Sequence, residues 1–120
     1  MKPAFGLLLL AFWLGSVTSL DAHAFLQHAE PGVGNTVATS PKEVKIQFSE
    51  AVEPAFSKIQ VFAASGREVD KGDAHLDPSD PAVLKVTLPP LETGTYKVVW
   101  RVVSVDTHVT SGSFTFRVGH

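Results

Sequence analysis

Asp106 and His108 stand two apart in the stretch "WRVVSVDTHVTSGSFTF", residues 100–116. In an extended chain, side chains at that spacing point to one face, so a carboxylate and an imidazole can approach one metal ion together. Two donors from one loop are too few for a tight site. His23, in "SLDAHAFLQHAEP" at residues 19–31, supplies two more if it begins the exported chain. Its free α-amine and its ring Nδ1 then close a chelate on a single ion. Three nitrogens and one carboxylate oxygen suit a tetragonal Cu(II) ion, which also binds such donors more tightly than zinc or the other first-row divalent metals. Bland readings stand beside this one. An Asp-x-His in a loop is more often a solvated turn, and His23 is then a polar residue next to a cleavage site.

Little else in the chain offers chemistry. There is no cysteine, the single methionine is Met1, and no Gly-x-Ser-x-Gly, phosphate-binding loop or zincin motif occurs. Five histidines are present, and His28, His75 and His120 lack the specific context of His108, so they read as surface residues. Net charge is -2, which is not basic enough for the chain as a whole to attract nucleic acid or an anionic membrane.

The positioning elements begin after an anomalous start. Lys2 is the only charge before Asp21, and "AFGLLLLAFWLG", residues 4–15, is a continuous apolar run too short to span a bilayer. A positive start, a short apolar run and small or polar residues make residues 1–22 a cleavable signal peptide, which predicts export to the periplasm. The local Ala-x-Ala rule fits "AHA", residues 22–24, better than "LDA", residues 20–22, and cleavage after Ala24 would discard His23. Cleavage after Ala22 leaves one domain, residues 23–120, with the same net charge because Lys2 and Asp21 leave together.

From residue 43 onward the hydrophobic pattern has period two. Val44, Ile46 and Phe48 alternate with polar neighbours, as do Ile59 and Val61, then Leu84, Val86 and Leu88, then Tyr96, Val98, Trp100 and Val102, then Phe114, Phe116 and Val118. Turn formers separate these runs at 30–35, 40–41, 64–68, 76–81, 89–94 and 111–112. With "AFLQHA" as an edge strand, the pattern predicts an all-β, immunoglobulin-like Greek-key β-sandwich or barrel of about seven strands. Residues 64–82 are the candidate mobile loop. "LETGTYKVVW" matches the entry into a late strand where a tyrosine hydroxyl bonds back to the backbone.

The whole stretch after the signal resembles the CopC family of periplasmic copper-binding proteins. The resemblance runs through "AHAFLQHAEPGVG", "PKEVKIQFSEAVEPAFSKIQV" and "LPPLETGTYKVVWRVVSVDTHVTSGSFTF". It implies a Greek-key sandwich that holds one Cu(II) ion through His23, Asp106 and His108, with Glu50 of "FSE" close by, fixing a ligand or holding water. Some relatives add a Cu(I) site in a methionine-rich loop. The corresponding "AASGREVDKGDAHLDPSDPA" has His75 and no thioether, so a Cu(II)-only carrier or buffer is expected, since soft sulfur ligands select Cu(I). Val109 stands where relatives usually have proline. The implied partners are the copper ion and an inner-membrane transporter of the CopD type, with no nucleic acid, and the chain is expected to be a monomer without enzymatic activity. The alternative is a copper-dependent oxidative enzyme with an N-terminal histidine brace, similar to polysaccharide monooxygenases.

Overall fold

The computed structural model describes residues 24–119. The expected signal segment, His23 and His120 lie outside the described residues. Eight strands follow in order: β1 (Leu26–Glu30), β2 (Thr36–Val37), β3 (Glu43–Phe48), β4 (Lys58–Ala63), β5 (His75–Asp77), β6 (Asp80–Thr87), β7 (Gly94–Val103) and β8 (Val109–Val118). They form two four-stranded sheets of order β1-β3-β6-β5 and β2-β8-β7-β4. All pairings are antiparallel except that of β2 with β8. Against the expected seven there are eight strands, and the two that correspond to none of the six runs read from the sequence are short: β2 and β5 span two and three residues, too few for a period to register.

Between the sheets lie the residues of the period-two pattern. Val44, Ile46, Phe48, Ile59, Val61, Leu84, Val86, Val98, Val102 and Phe116 are each at most 2% exposed. Burying each such side chain contributes about 1.5–3 kcal/mol. Phe48 meets Trp100 edge to face across the sandwich, with ring centroids 5.2 Å apart. The Tyr96 hydroxyl donates to the Glu92 carbonyl at 2.6 Å, which closes the turn before β7.

Three local expectations change. Ser111 and Gly112, a turn signal in the sequence, lie inside β8, where Gly112 faces Trp100 across the ladder. A Cβ at Gly112 would stand 2.6 Å from the Trp100 ring, so glycine is there to admit the indole and not to turn the chain. Residues 64–82 form no free loop. Val69 donates to the Val61 carbonyl at 2.8 Å, Asp70 accepts from the Val61 amide at 2.8 Å, and Asp73 accepts from the Thr87 amide at 2.8 Å. This segment therefore straps the edge of one sheet to the other and contains β5. Finally, β1 carries a bulge between Leu26 and His28, so Ala24, half-buried Leu26 and then Ala29 turn inward, out of strict alternation.

Candidate metal centre

The β7–β8 hairpin builds the site. Its last ladder pair is Val103 with Val109, and the Ser104 amide donates to the His108 carbonyl at 2.9 Å, leaving Val105, Asp106 and Thr107 as a three-residue loop. The Thr107 amide donates to the Ser104 carbonyl at 2.8 Å, and Thr107 has φ 72°. A turn followed by a left-handed residue is the usual solution for such a loop, although a β-branched residue seldom fills that position. Asp106 and His108 are therefore not neighbours along one strand face. The turn performs the same task, bringing Asp106 Oδ2 within 3.3 Å of His108 Nδ1, with side chains 41% and 49% exposed.

Ligand atoms about 2.0 Å from one ion are roughly 2.8 Å apart at a right angle and 3.3 Å apart at a tetrahedral angle. The Asp106–His108 spacing of 3.3 Å matches the tetrahedral value, and closing it to about 2.8 Å would seat the pair on adjacent corners of a tetragonal ion. Among the described residues no group of three His, Asp or Glu side chains gathers at one point, so these supply two donors and no more.

Ser104 was not legible as part of the site, yet it governs the carboxylate. It is fully buried, and its hydroxyl donates to Asp106 Oδ1, leaving Oδ2 to face His108. That donated hydrogen bond, with lesser help from His108, holds the Asp106 carboxyl below the usual aspartate range against the opposing effect of desolvation. Asp106 is thus a carboxylate at neutral pH. The signal was present in the register: Val98, Trp100 and Val102 face inward, and Ser104 continues that row as a polar residue in a core position.

The hairpin is braced from both sides. Val105 donates to the Ala51 carbonyl at 3.1 Å and Glu53 to the Val103 carbonyl at 2.8 Å, so the chain leaving β3 runs alongside the loop. Thr110, two residues past His108, donates its hydroxyl to the Ala24 carbonyl at 2.7 Å. Ala24 is buried, and Phe25 exchanges hydrogen bonds with Ser49, donating to its Oγ at 2.8 Å and accepting from its amide at 2.7 Å. The start of the described chain is pinned beside the hairpin in this way. Half-buried Glu50 sits between Ser49 and Ala51, the two residues that hold those segments. His28 faces solvent on β1, with Nε2 3.4 Å from Glu30, and His75 Nδ1 lies 2.7 Å from the Asp73 carbonyl on β5. Both belong to the other sheet.

The CopC domain model matches residues 26–119. The chain belongs to the CopC family. Protein YobA of Escherichia coli is 38% identical over 101 residues, covering 83% of this chain and 82% of the relative. Copper resistance protein C of Pseudomonas syringae pv. tomato is 38% identical over 104 residues, covering 82% of each. Among solved structures, CopC from Methylosinus trichosporium OB3b is 38% identical, with TM-score 0.76 over 81% of this chain and 94% of that one. PcoC, a methionine-rich copper resistance protein from Escherichia coli, is 33% identical, with TM-score 0.69 over 81% of this chain and 99% of that one. This CopC-family chain shares the sandwich and differs from the methionine-rich relative in lacking sulfur beyond Met1.

Proposed function

We propose that this CopC-family protein binds one Cu(II) ion outside the cytoplasm and acts as a carrier or buffer of that ion, without catalysis of its own. The observation that carries the reading is the 3.3 Å approach of Asp106 Oδ2 and His108 Nδ1 on a hairpin whose Thr110 tethers Ala24. His23 is covalently one residue before Ala24, and consecutive Cα atoms are about 3.8 Å apart, so that tether favours His23 as the source of the missing donors. Cleavage after Ala22 would give His23 a free amine, and amine, imidazole, Asp106 and His108 make an N3O set suited to Cu(II). Glu50 is assigned the role of orienting a ligand or holding water at this centre.

The absence of any thioether or thiol after Met1 supports a Cu(II)-only site, with Cu(I) released on reduction. The names of the relatives support copper handling as the physiological context, with delivery to an inner-membrane transporter as the proposed destination. A periplasmic monomer fits the exported small domain. A carboxylate filling one equatorial position also weighs against the oxidative-enzyme alternative, which needs an open position for oxygen.

Titration of the exported protein with Cu(II) against a competing chelator tests the reading. Trp100 is the only tryptophan after Trp13, and its fluorescence, quenched by a nearby paramagnetic ion, provides the readout. Stoichiometric, chelator-resistant uptake of one ion is the expected result. Weak, sub-stoichiometric uptake would leave a bare interaction module.

A further inference from the structure

The net charge of -2 conceals a sorted surface. Directly opposed residues in an antiparallel ladder share a face, so the registers of β4, β7 and β8 identify what that sheet turns outward. Lys58 opposes Arg101, Phe62 opposes Lys97, and Thr95 opposes Arg117. Lys58, Lys97, Arg101 and Arg117 are all exposed, and no Asp or Glu occupies an outward position on these three strands. Glu68 borders the face beyond Phe62 and is held by the Gln60 amide at 3.3 Å. Among the described residues, none of the four cations forms an ion pair.

The opposite sheet also opposes two cations, Lys45 and Lys85, but intersperses acids among them: Glu30 stands across from Lys45, and Asp77 pairs with Lys85 at 2.9 Å. Lys58 stands directly across from Arg101, an unfavourable like-charge opposition that no ion pair among the described residues of this face offsets. The face is a broad sheet surface, and Val109, 49% exposed, shares it at the end next to the Asp106–His108 loop.

We infer that the outward face of the β2-β8-β7-β4 sheet is a docking surface for an anionic phospholipid membrane. Four cations, none of them in an ion pair among the described residues and only Arg117 held by a neutral partner, Thr95, complement a surface of negative headgroups, and Val109 lies on the same face beside them. Docking on this face sets the hairpin loop at the membrane surface. The inference stands whether or not Asp106 and His108 hold copper, and it revises what net charge alone implies about membranes.

Flotation of the exported protein with vesicles tests it, using phosphatidylcholine alone or mixed with phosphatidylglycerol. Binding should require phosphatidylglycerol and vanish between about 0.01 M and about 1 M salt, as the Debye length falls from about 30 Å to about 3 Å. Lys97→Gln should weaken it about fivefold and Lys97→Gln with Arg101→Gln about 25-fold, from about 1 kcal/mol per basic residue at such a surface. Lys58→Glu places an acid opposite Arg101, so it should raise the melting temperature while weakening binding, which separates loss of docking from loss of fold. Lys45→Gln with Lys71→Gln, away from the face, should leave binding unchanged. No binding to mixed vesicles at low salt, or equal weakening by the Lys45/Lys71 pair, would overturn the inference. Face-dependent binding to polyglutamate without vesicle binding would overturn it too, assigning the face to an acidic protein.

Discussion

At the scale of single residues, the carboxylate and imidazole of the hairpin loop have different jobs to lose. Asp106→Ala or His108→Ala should weaken Cu(II) binding by at least about 100-fold, since even residues that only orient a ligand account for about 10–100-fold. His108 is half exposed, so His108→Ala should leave the melting temperature of the metal-free protein unchanged, whereas Asp106→Ala removes the acceptor of the buried Ser104 hydroxyl and should lower it modestly; chelator competition with thermal denaturation checks both halves. The effect of pH follows from which group titrates last. Asp106 is held below the usual aspartate range by the Ser104 hydroxyl, so it remains ionised well below neutrality. The nitrogens decide release, because they must be unprotonated to bind the ion. Acid should therefore release copper while Asp106 is still ionised, as a pH titration of the Cu(II) absorbance would show. The Asp-x-His pair was legible in the sequence because spacing and residue type carried it. Ser104 was not, because its importance depends on where its hydroxyl points.

At the scale of elements, the strands were legible because each has one buried face and so a clean period of two. The boundaries were not, for reasons specific to each. Gly112 reads as a turn and serves instead as the floor under Trp100, so Gly112→Ala should cost about 1–3 kcal/mol in denaturant unfolding. Thr107 holds a left-handed backbone that β-branched residues resist. Thr107→Gly should relieve this and stabilise the fold by about 1 kcal/mol, with copper affinity as the check that the loop keeps its shape. The strap at 64–82 reads as a loop because its order comes from carboxylates bonding to amides and not from a hydrophobic period. Asp73, lowered by the Thr87 bonds, and Asp77, lowered by Ser79 and Lys85, both favour the ionised form in the folded state. Their stabilisation is present above the unfolded aspartate value and disappears as pH falls through the folded values. The metal-free melting temperature should accordingly decline below about pH 4.

At the scale of the whole molecule, a sandwich of about 100 residues without a disulfide has modest stability, and a bound ion adds to it by mass action. Cu(II) at about 100 times its Kd should contribute about 2.7 kcal/mol, which for a domain of this size raises the melting temperature by roughly 10–20 °C. No rise at saturation would mean that the ion is not linked to the fold. The family and architecture were readable from the chain as a whole, whereas the sorting of cations to one sheet was not, because net charge averages over both faces. The same limit applies at the N-terminus, where the Ala-x-Ala rule and the copper chemistry favour different cuts in "DAHAF", and only a chain that keeps Ala24 can make the bond from Thr110 to its carbonyl. Native mass spectrometry of the exported protein decides between them in one spectrum. The proposed site requires residues 23–120 carrying one copper ion. A chain beginning at Phe25, or a chain beginning at His23 that takes up no copper, would contradict it.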